Sequence, residues 1–200
     1  VVIDSGTGSI HLEGDQVASS MSGVGLRFGV FSYYPDIAIS SSSTASPAIK
    51  IVGSSTNGNG IWLGQGNANP GLAGTVLVQS SATSGGGITI EGSTAKTTDS
   101  RAIALWGDKT SGFATYQFLS NHGDIKFLSN INNIESKIGF WSDTYLGLRK
   151  DTAAIQGVTP ISGSNSVKSV FRADAGVYFS DSMRGGGAVE VYPYTSGKSI

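Results

Sequence analysis

The chain contains no cysteine. Disulfide staples and thiolate metal sites are therefore excluded. Charge is also scarce: Asp, Glu, Lys and Arg make up 14% of 200 residues, and the formal net charge is −1. A nucleic-acid groove or a polybasic membrane patch needs clustered Lys and Arg, so neither partner is expected. Disorder is disfavoured too, because 3 Trp, 7 Tyr and 8 Phe can fill a core. No apolar run approaches the ~18 residues of a membrane-spanning helix. The chain starts at Val1 without Met or a leader-like segment. It is expected to be a piece of a longer protein whose signal peptide has been removed or lies upstream.

What is present is turn chemistry interleaved with short apolar triplets. There are 29 Gly, and Ser, Thr and Asn cluster beside them, as in "SSTNGNGIWLG" (54–64) and "SATSGGGITIEG" (81–92). Gly and Asn accept turn backbones at low cost. The triplets alternate apolar–x–apolar, the signature of short strands with one buried face. They keep a beat of about twelve. Ile37/Ile39, Ile49/Ile51 and Ile61/Leu63 are evenly spaced, as are Val76/Val78 with Ile88/Ile90 and Val177/Phe179 with Val189/Val191. Ile10/Leu12, Val24/Leu26, Ile103/Leu105, Ile125/Phe127 and Ile138/Phe140 follow with slightly longer gaps. Helical periodicity is almost absent. The stretch 127–140 reads as strand, turn, strand, since Asn130, Asn132 and Asn133 are poor helix formers.

Many short strands at this spacing suit a β-solenoid or an antiparallel sandwich. Near-identical copies imply equivalent environments, which favours the solenoid. The expected fold is all-β: a parallel β-helix over residues 1–200, with polar corners and apolar walls. Two beats per coil would give ~24 residues per turn, about eight coils and a rod of roughly 40 Å. The middle residue of each triplet (Ala38, Lys50, Trp62, Leu77, Thr89, Ala104, Lys126) is expected to face solvent.

The units "GSSTNGNGIWLG" and "SSATSGGGITIEG", the segment "GSIHLEG" (8–14) and the C-terminal "VEVYPYTSGKSI" (189–200) resemble filamentous-haemagglutinin-like exoproteins. In the last segment Pro193, Gly197 and Ile200 carry the match. The resemblance covers 8–107 and 169–200; the aromatic-rich middle, 113–150, fits less well and is expected to hold an irregular excursion. It implies a right-handed parallel β-helix exported by two-partner secretion from Gram-negative bacteria. Secretion to the cell surface and an outer-membrane secretion partner follow from the resemblance alone.

Chemistry is sparse. His11 is a triplet middle residue and His122 sits in the turn-like "SNHGD". Metal-ligand spacing is missing, and no cofactor is expected. There is no G-x-S-x-G elbow. "GKS" (197–199) lacks the first Gly of a phosphate loop, since Tyr192 stands there. "STAK" (93–96) fits S-x-x-K but sits in "EGSTAKTTDSR" (91–101), which reads as a solvated corner. Asp124, Glu135, Asp143 and Asp151, with Arg149 and Lys150, are the candidate carboxylates and bases of a sugar-cleaving face. Their spacing does not follow the beat, so charged corners explain them better. Trp62, Trp106 and Trp141 are candidate surface contacts, because an outward ring can stack on a sugar or a partner. The sequence therefore points to a non-enzymatic adhesive stalk. Its partners would be host-cell or matrix glycans or proteins, or neighbouring filament chains. The alternatives are a carbohydrate-active β-helix of the phage tailspike kind and a glycan-binding module.

Overall fold

The structure is a computed structural model that describes residues 1–17, 23–28, 37–64, 74–96, 101–106, 114–129, 138–140, 144–147, 167–173, 177–179, 183–185, 188–193 and 195–197. Every regular element among them is a β-strand. The first coil carries β1 (Val2–Asp4), β2 (Ile10–Gln16) and β3 (Val24–Phe28). The second carries β4 (Ile37–Ser41), β5 (Ile49–Ser55) and β6 (Asn59–Gly64). The third carries β7 (Gly74–Ser80), β8 (Ile88–Thr94) and β9 (Ile103–Trp106). The fourth carries β10 (Ala114–Ser120), β11 (Ile125–Ser129) and β12 (Ile138–Phe140). The fifth carries β13 (Thr144–Gly147), β14 (Lys168–Arg172) and β15 (Val177–Phe179). β16 (Met183–Gly185) and β17 (Ala188–Tyr192) begin a sixth.

Each strand pairs in parallel with its counterpart one coil away, which builds three sheets. The first sheet runs β1-β4-β7-β10-β13-β16, the second β2-β5-β8-β11-β14-β17 and the third β3-β6-β9-β12-β15. The protein is thus a parallel β-solenoid. The twelve-residue beat counts walls, and a coil has three of them. Ile10, Ile49 and Ile88 align directly, 39 residues apart. The expectation of about eight two-walled coils is therefore corrected: the described residues form five full three-walled coils and two strands of a sixth. Six rungs at ~4.8 Å give a stack of roughly 24 Å.

Of the stretch 113–150, expected to hold an irregular excursion, residues 113, 130–137, 141–143 and 148–150 lie outside the described residues. Strands β10 to β13 stay in the ladders, and both described ends of 127–140 are strands. Coil length does change there. Tyr116 aligns with Thr144, only 28 residues on, while Ile125 aligns with Ser169, 44 residues on.

Register stacks like on like. The inward column Ile10–Ile49–Ile88–Ile125 runs up the second sheet beside Leu12–Ile51–Ile90–Phe127–Phe171. Opposite them stand Ile37–Val76–Tyr116 and Ile39–Val78–Phe118 on the first sheet. The third sheet adds Leu26–Ile61–Ile103. These form one core. β-branched side chains fit the pleat, and each fully buried one contributes about 1.5–3 kcal/mol. The core turns aromatic in the fourth coil. Phe127 lies 5.0 Å from Phe118 edge-on and 5.0 Å from Phe171 in a stack. The buried Tyr116 hydroxyl donates to the Leu63 carbonyl oxygen at 2.8 Å.

Corners are held by hydroxyl columns. Ser41, Ser80 and Ser120 align at the exit of the first sheet. Ser41 Oγ donates to Gly8 O at 2.6 Å and Ser120 Oγ to Gly123 O at 2.6 Å, while Ser80 Oγ accepts from Gly87 N–H at 3.1 Å. At the exit of the second sheet Gln16, Ser55 and Thr94 align. Ser55 Oγ donates to Gln16 Oε1 at 2.8 Å, and Thr94 Oγ1 donates to Gly58 O at 2.6 Å. These side chains satisfy backbone groups that the turning chain removes from the ladders. Gly85, Gly86 and Gly87 all hold positive φ in one corner, a conformation that L side chains rarely adopt.

A second glycine column does different work. Gly14, Gly53 and Gly92 align on the second sheet. A Cβ on Gly53 would run into the Gly60 carbonyl oxygen and lie 2.6 Å from Ile61 Cγ1. A Cβ on Gly92 would meet the Ala102 carbonyl and lie 2.6 Å from Ile103 Cγ1. The second and third sheets touch backbone to backbone along this seam.

The solvent-facing expectation for the triplet middles holds in the second sheet and at Trp62, and fails at three positions in the first and third sheets. Lys126 is exposed, and Lys50 and Thr89 are half-buried. Ala38 (0% exposed), Leu77 (4%) and Ala104 (1%) are buried instead. In the first sheet Gln79, Gln117 and Leu119 are buried as well, so β7 and β10 are covered on both faces. The physical reason is visible in the residues. "IAI", "VLV" and "IAL" are unbroken apolar triplets, the pattern of a strand buried on both sides.

Candidate functional site

The outer face of the second sheet carries mostly exposed or half-buried side chains among the described residues, with Val170 buried. Two outward columns run along it. One is His11–Lys50–Thr89–Lys126–Val170–Glu190, and the other is Glu13–Val52–Glu91–Leu128–Arg172–Tyr192. Alternation along each strand puts them there, because Ile, Leu and Phe at the flanking positions face the core.

Charges on this face are mostly paired. Lys50 Nζ lies 3.4 Å from Glu91 Oε2, and Lys168 Nζ lies 2.9 Å from Glu190 Oε1. His11 Nε2 lies 3.6 Å from Glu13 Oε2 on the same strand. The hydrogen bond to Glu190 raises the Lys168 pKa above 10.5, helped by the charges of Glu190 and Asp124. The same bond lowers the Glu190 pKa below 4.5. The Tyr192 hydroxyl donates to Glu190 Oε2 at 3.2 Å, and the Arg172 guanidinium lies 5.4 Å from the Tyr192 ring centroid.

Of the tryptophans expected to form contacts, Trp62 has a described side chain. Trp62 stands on the outer face of β6, as its triplet position implies, and is half-buried. The Arg27 guanidinium covers its ring at 4.9 Å, from the aligned position one coil below. Desolvation lowers the Arg27 pKa. One face of the ring is therefore already used, which the sequence could not reveal without the register that places residue 27 beside residue 62. Trp106 closes β9 opposite Gly64. Its side chain, and Trp141 altogether, lie outside the described residues.

Of the remaining candidates, His122 and Asp124 are among the described residues. His122 is exposed in the corner between β10 and β11. Asp124 closes that corner, its backbone oxygen accepting from Ile88 N–H at 3.0 Å. Glu135, Asp143, Arg149, Lys150, Asp151 and Ile200 lie outside the described residues. The stretch 91–101 is not a solvated corner at its start: β8 continues to Thr94, with Gly92, Ser93 and Thr94 buried. Thr94 Oγ1 also accepts from Lys96 N–H at 3.2 Å, so "STAK" is corner architecture. Gly197 occupies a turn with φ 86°. Among the described residues no three of His, Cys, Asp and Glu are grouped to hold a metal, and no helix is long and apolar enough to cross a membrane. Compared with protein-family models, curated sequences and solved structures, the chain matches none of them.

Proposed function

We propose that this chain is a structural and adhesive segment of a large secreted bacterial surface filament, a stiff stalk that carries weak contact sites away from the cell. The observation that supports it is the unbroken pairing of all three sheets from the first coil to the last, with like residues in columns. Such a stack resists bending, because any bend must open ladder bonds and core contacts together. Export by an outer-membrane partner belongs to the proposal on the sequence resemblance alone. The test is adhesion of beads coated with the chain to glycan-coated and matrix-coated surfaces, beside an assay for polysaccharide cleavage. Adhesion without cleavage is expected. Release of new sugar ends would overturn the reading.

A carbohydrate-active β-helix is the second reading. Glu13 and Glu91 share one outward column two rungs apart, ~10 Å. That approaches the roughly 6.5–9.5 Å carboxylate separation of inverting glycosidases. Lys50 already engages Glu91, which argues against a free acid–base pair.

A further inference from the structure

The outer face of the second sheet repeats one device and breaks it once. Lys50 aligns with Thr89, and its partner Glu91 stands two residues beyond that position on the next coil. Lys168 aligns with Ala188, and its partner Glu190 again stands two residues beyond. Lys126 aligns with Val170, but the residue two beyond is Arg172. A cation replaces the expected anion, so two positive groups face each other across one diagonal.

Their surroundings leave them available. Lys126 and Arg172 are exposed. The nearby carboxylates are engaged with other groups: Glu91 with Lys50, and Glu190 with Lys168 and the Tyr192 hydroxyl. Asp124 lies at the foot of the patch, where its charge acts on Lys168. A cation–π contact holds the Arg172 guanidinium 5.4 Å from the Tyr192 ring centroid, and a guanidinium brings a fork of N–H donors that matches a carboxylate. The diagonal spans ~8 Å between Cα atoms, one rung across and two residues along.

We propose that Lys126 and Arg172 form a binding site for an acidic polysaccharide, with a sugar carboxylate held between them and the chain lying along the flat outer face. Two cations on a protein of net charge −1 are far too few for a nucleic-acid track. Val170, which aligns with Lys126 on this face, is buried, and the half-exposed Tyr192 ring beside Arg172 suits a sugar ring. The site names a ligand class for the adhesive role proposed above and rests on that reading for its biological use.

The test is binding of polygalacturonate to the full chain at low and at moderate salt, with neutral dextran and an RNA homopolymer as comparisons. The expected result is salt-sensitive binding of polygalacturonate only. K126E/R172E should weaken it at least about tenfold, while K50Q on the same face changes it little and Lys126→Arg keeps it. Unchanged circular dichroism shows that the variants fold. Three results overturn the site: full affinity in the double variant, equal binding of dextran, or no binding of polygalacturonate. Tighter binding of RNA overturns it in favour of a nucleic acid. Adhesion to glycan surfaces without polygalacturonate binding sinks the site and leaves the stalk. Binding followed by cleavage sinks the stalk and leaves the site.

Discussion

Replacing Gly53 by Ala tests the seam between the second and third sheets. Propensity alone predicts a gain, because an exchange of Gly for Ala in a compatible backbone stabilises by about 0.4–1 kcal/mol through the unfolded chain. The geometry predicts a loss. The new methyl would press on the Gly60 carbonyl oxygen, with Gly60 C at 2.9 Å and Ile61 Cγ1 at 2.6 Å. Ordinary carbon contacts begin near 3.5 Å, so the two sheets must separate by close to ~1 Å. Overpacking of this kind typically costs about 1–3 kcal/mol. After the entropic gain, a net loss of about 1–2 kcal/mol is expected. For a chain of this size that lowers Tm by roughly 2–8 °C. Thermal melts followed by circular dichroism, with urea midpoints beside them, read the effect. Gly92→Ala should behave alike, since its methyl meets Ala102 and Ile103 Cγ1. The two together should cost less than their sum, because one separation of the sheets relieves both. An unchanged or raised Tm for Gly53→Ala would refute the seam.

Three further outcomes follow from the described contacts. Phe127→Ala should destabilise by about 3–5 kcal/mol, because Phe127 bridges Phe118 and Phe171 at the centre of the aromatic core; urea midpoints measure it. Tyr116→Phe should cost about 1–2 kcal/mol in the same assay, leaving the Leu63 carbonyl without its buried donor. The Lys168–Glu190 pair sets a pH signature. Glu190 has a depressed pKa, so its contribution is present above 4.5 and fades as pH falls through the lowered value. Lys168 has a raised pKa, so its contribution is present below 10.5 and fades as pH rises through the raised value. Stability of the wild-type chain minus that of K168M should be small and flat between those limits, and fade beyond them as pH passes through the shifted values. A difference that peaks or changes sign at neutral pH would contradict the pairing.

Much of the architecture was legible because stacked coils demand repetition. The triplets Ile49/Ile51, Ile61/Leu63 and Ile88/Ile90 are walls, and the serine-rich stretches between them are corners. The number of walls per coil was harder to read. A twelve-residue spacing says how far apart corners are, not how many close a circuit. The signal lay in closer copies: "IHLEG", "IKIVG" and "ITIEG" recur 39 residues apart, as ladders of identical residues require. Val24/Leu26 misled by one step, since Leu26 and Phe28 are the residues aligned with Ile61 and Leu63. Alternation alone places Ala38, Leu77 and Ala104 outward, whereas their apolar character marks strands covered on both faces. The glycines at 14, 53 and 92 carry no signal of their role in the sequence, and only the third dimension shows two sheets meeting there. At the surface, the Arg27–Trp62 and Lys126–Arg172 relations depend on register across 35 and 46 residues, which no local pattern encodes.

The central claim is that residues 39 positions apart lie side by side in parallel. The chain has no cysteine of its own, so a pair of introduced thiols reports without background. Lys50 and Thr89 are aligned neighbours on the outer face of the second sheet, within the roughly 4.4–6.8 Å Cα separation a disulfide spans. The account predicts that folded K50C/T89C closes an intramolecular disulfide under mild oxidation, while K50C/K126C, two rungs apart, does not. A folded K50C/T89C that stays reduced, with K50C/K126C closing readily, would contradict it.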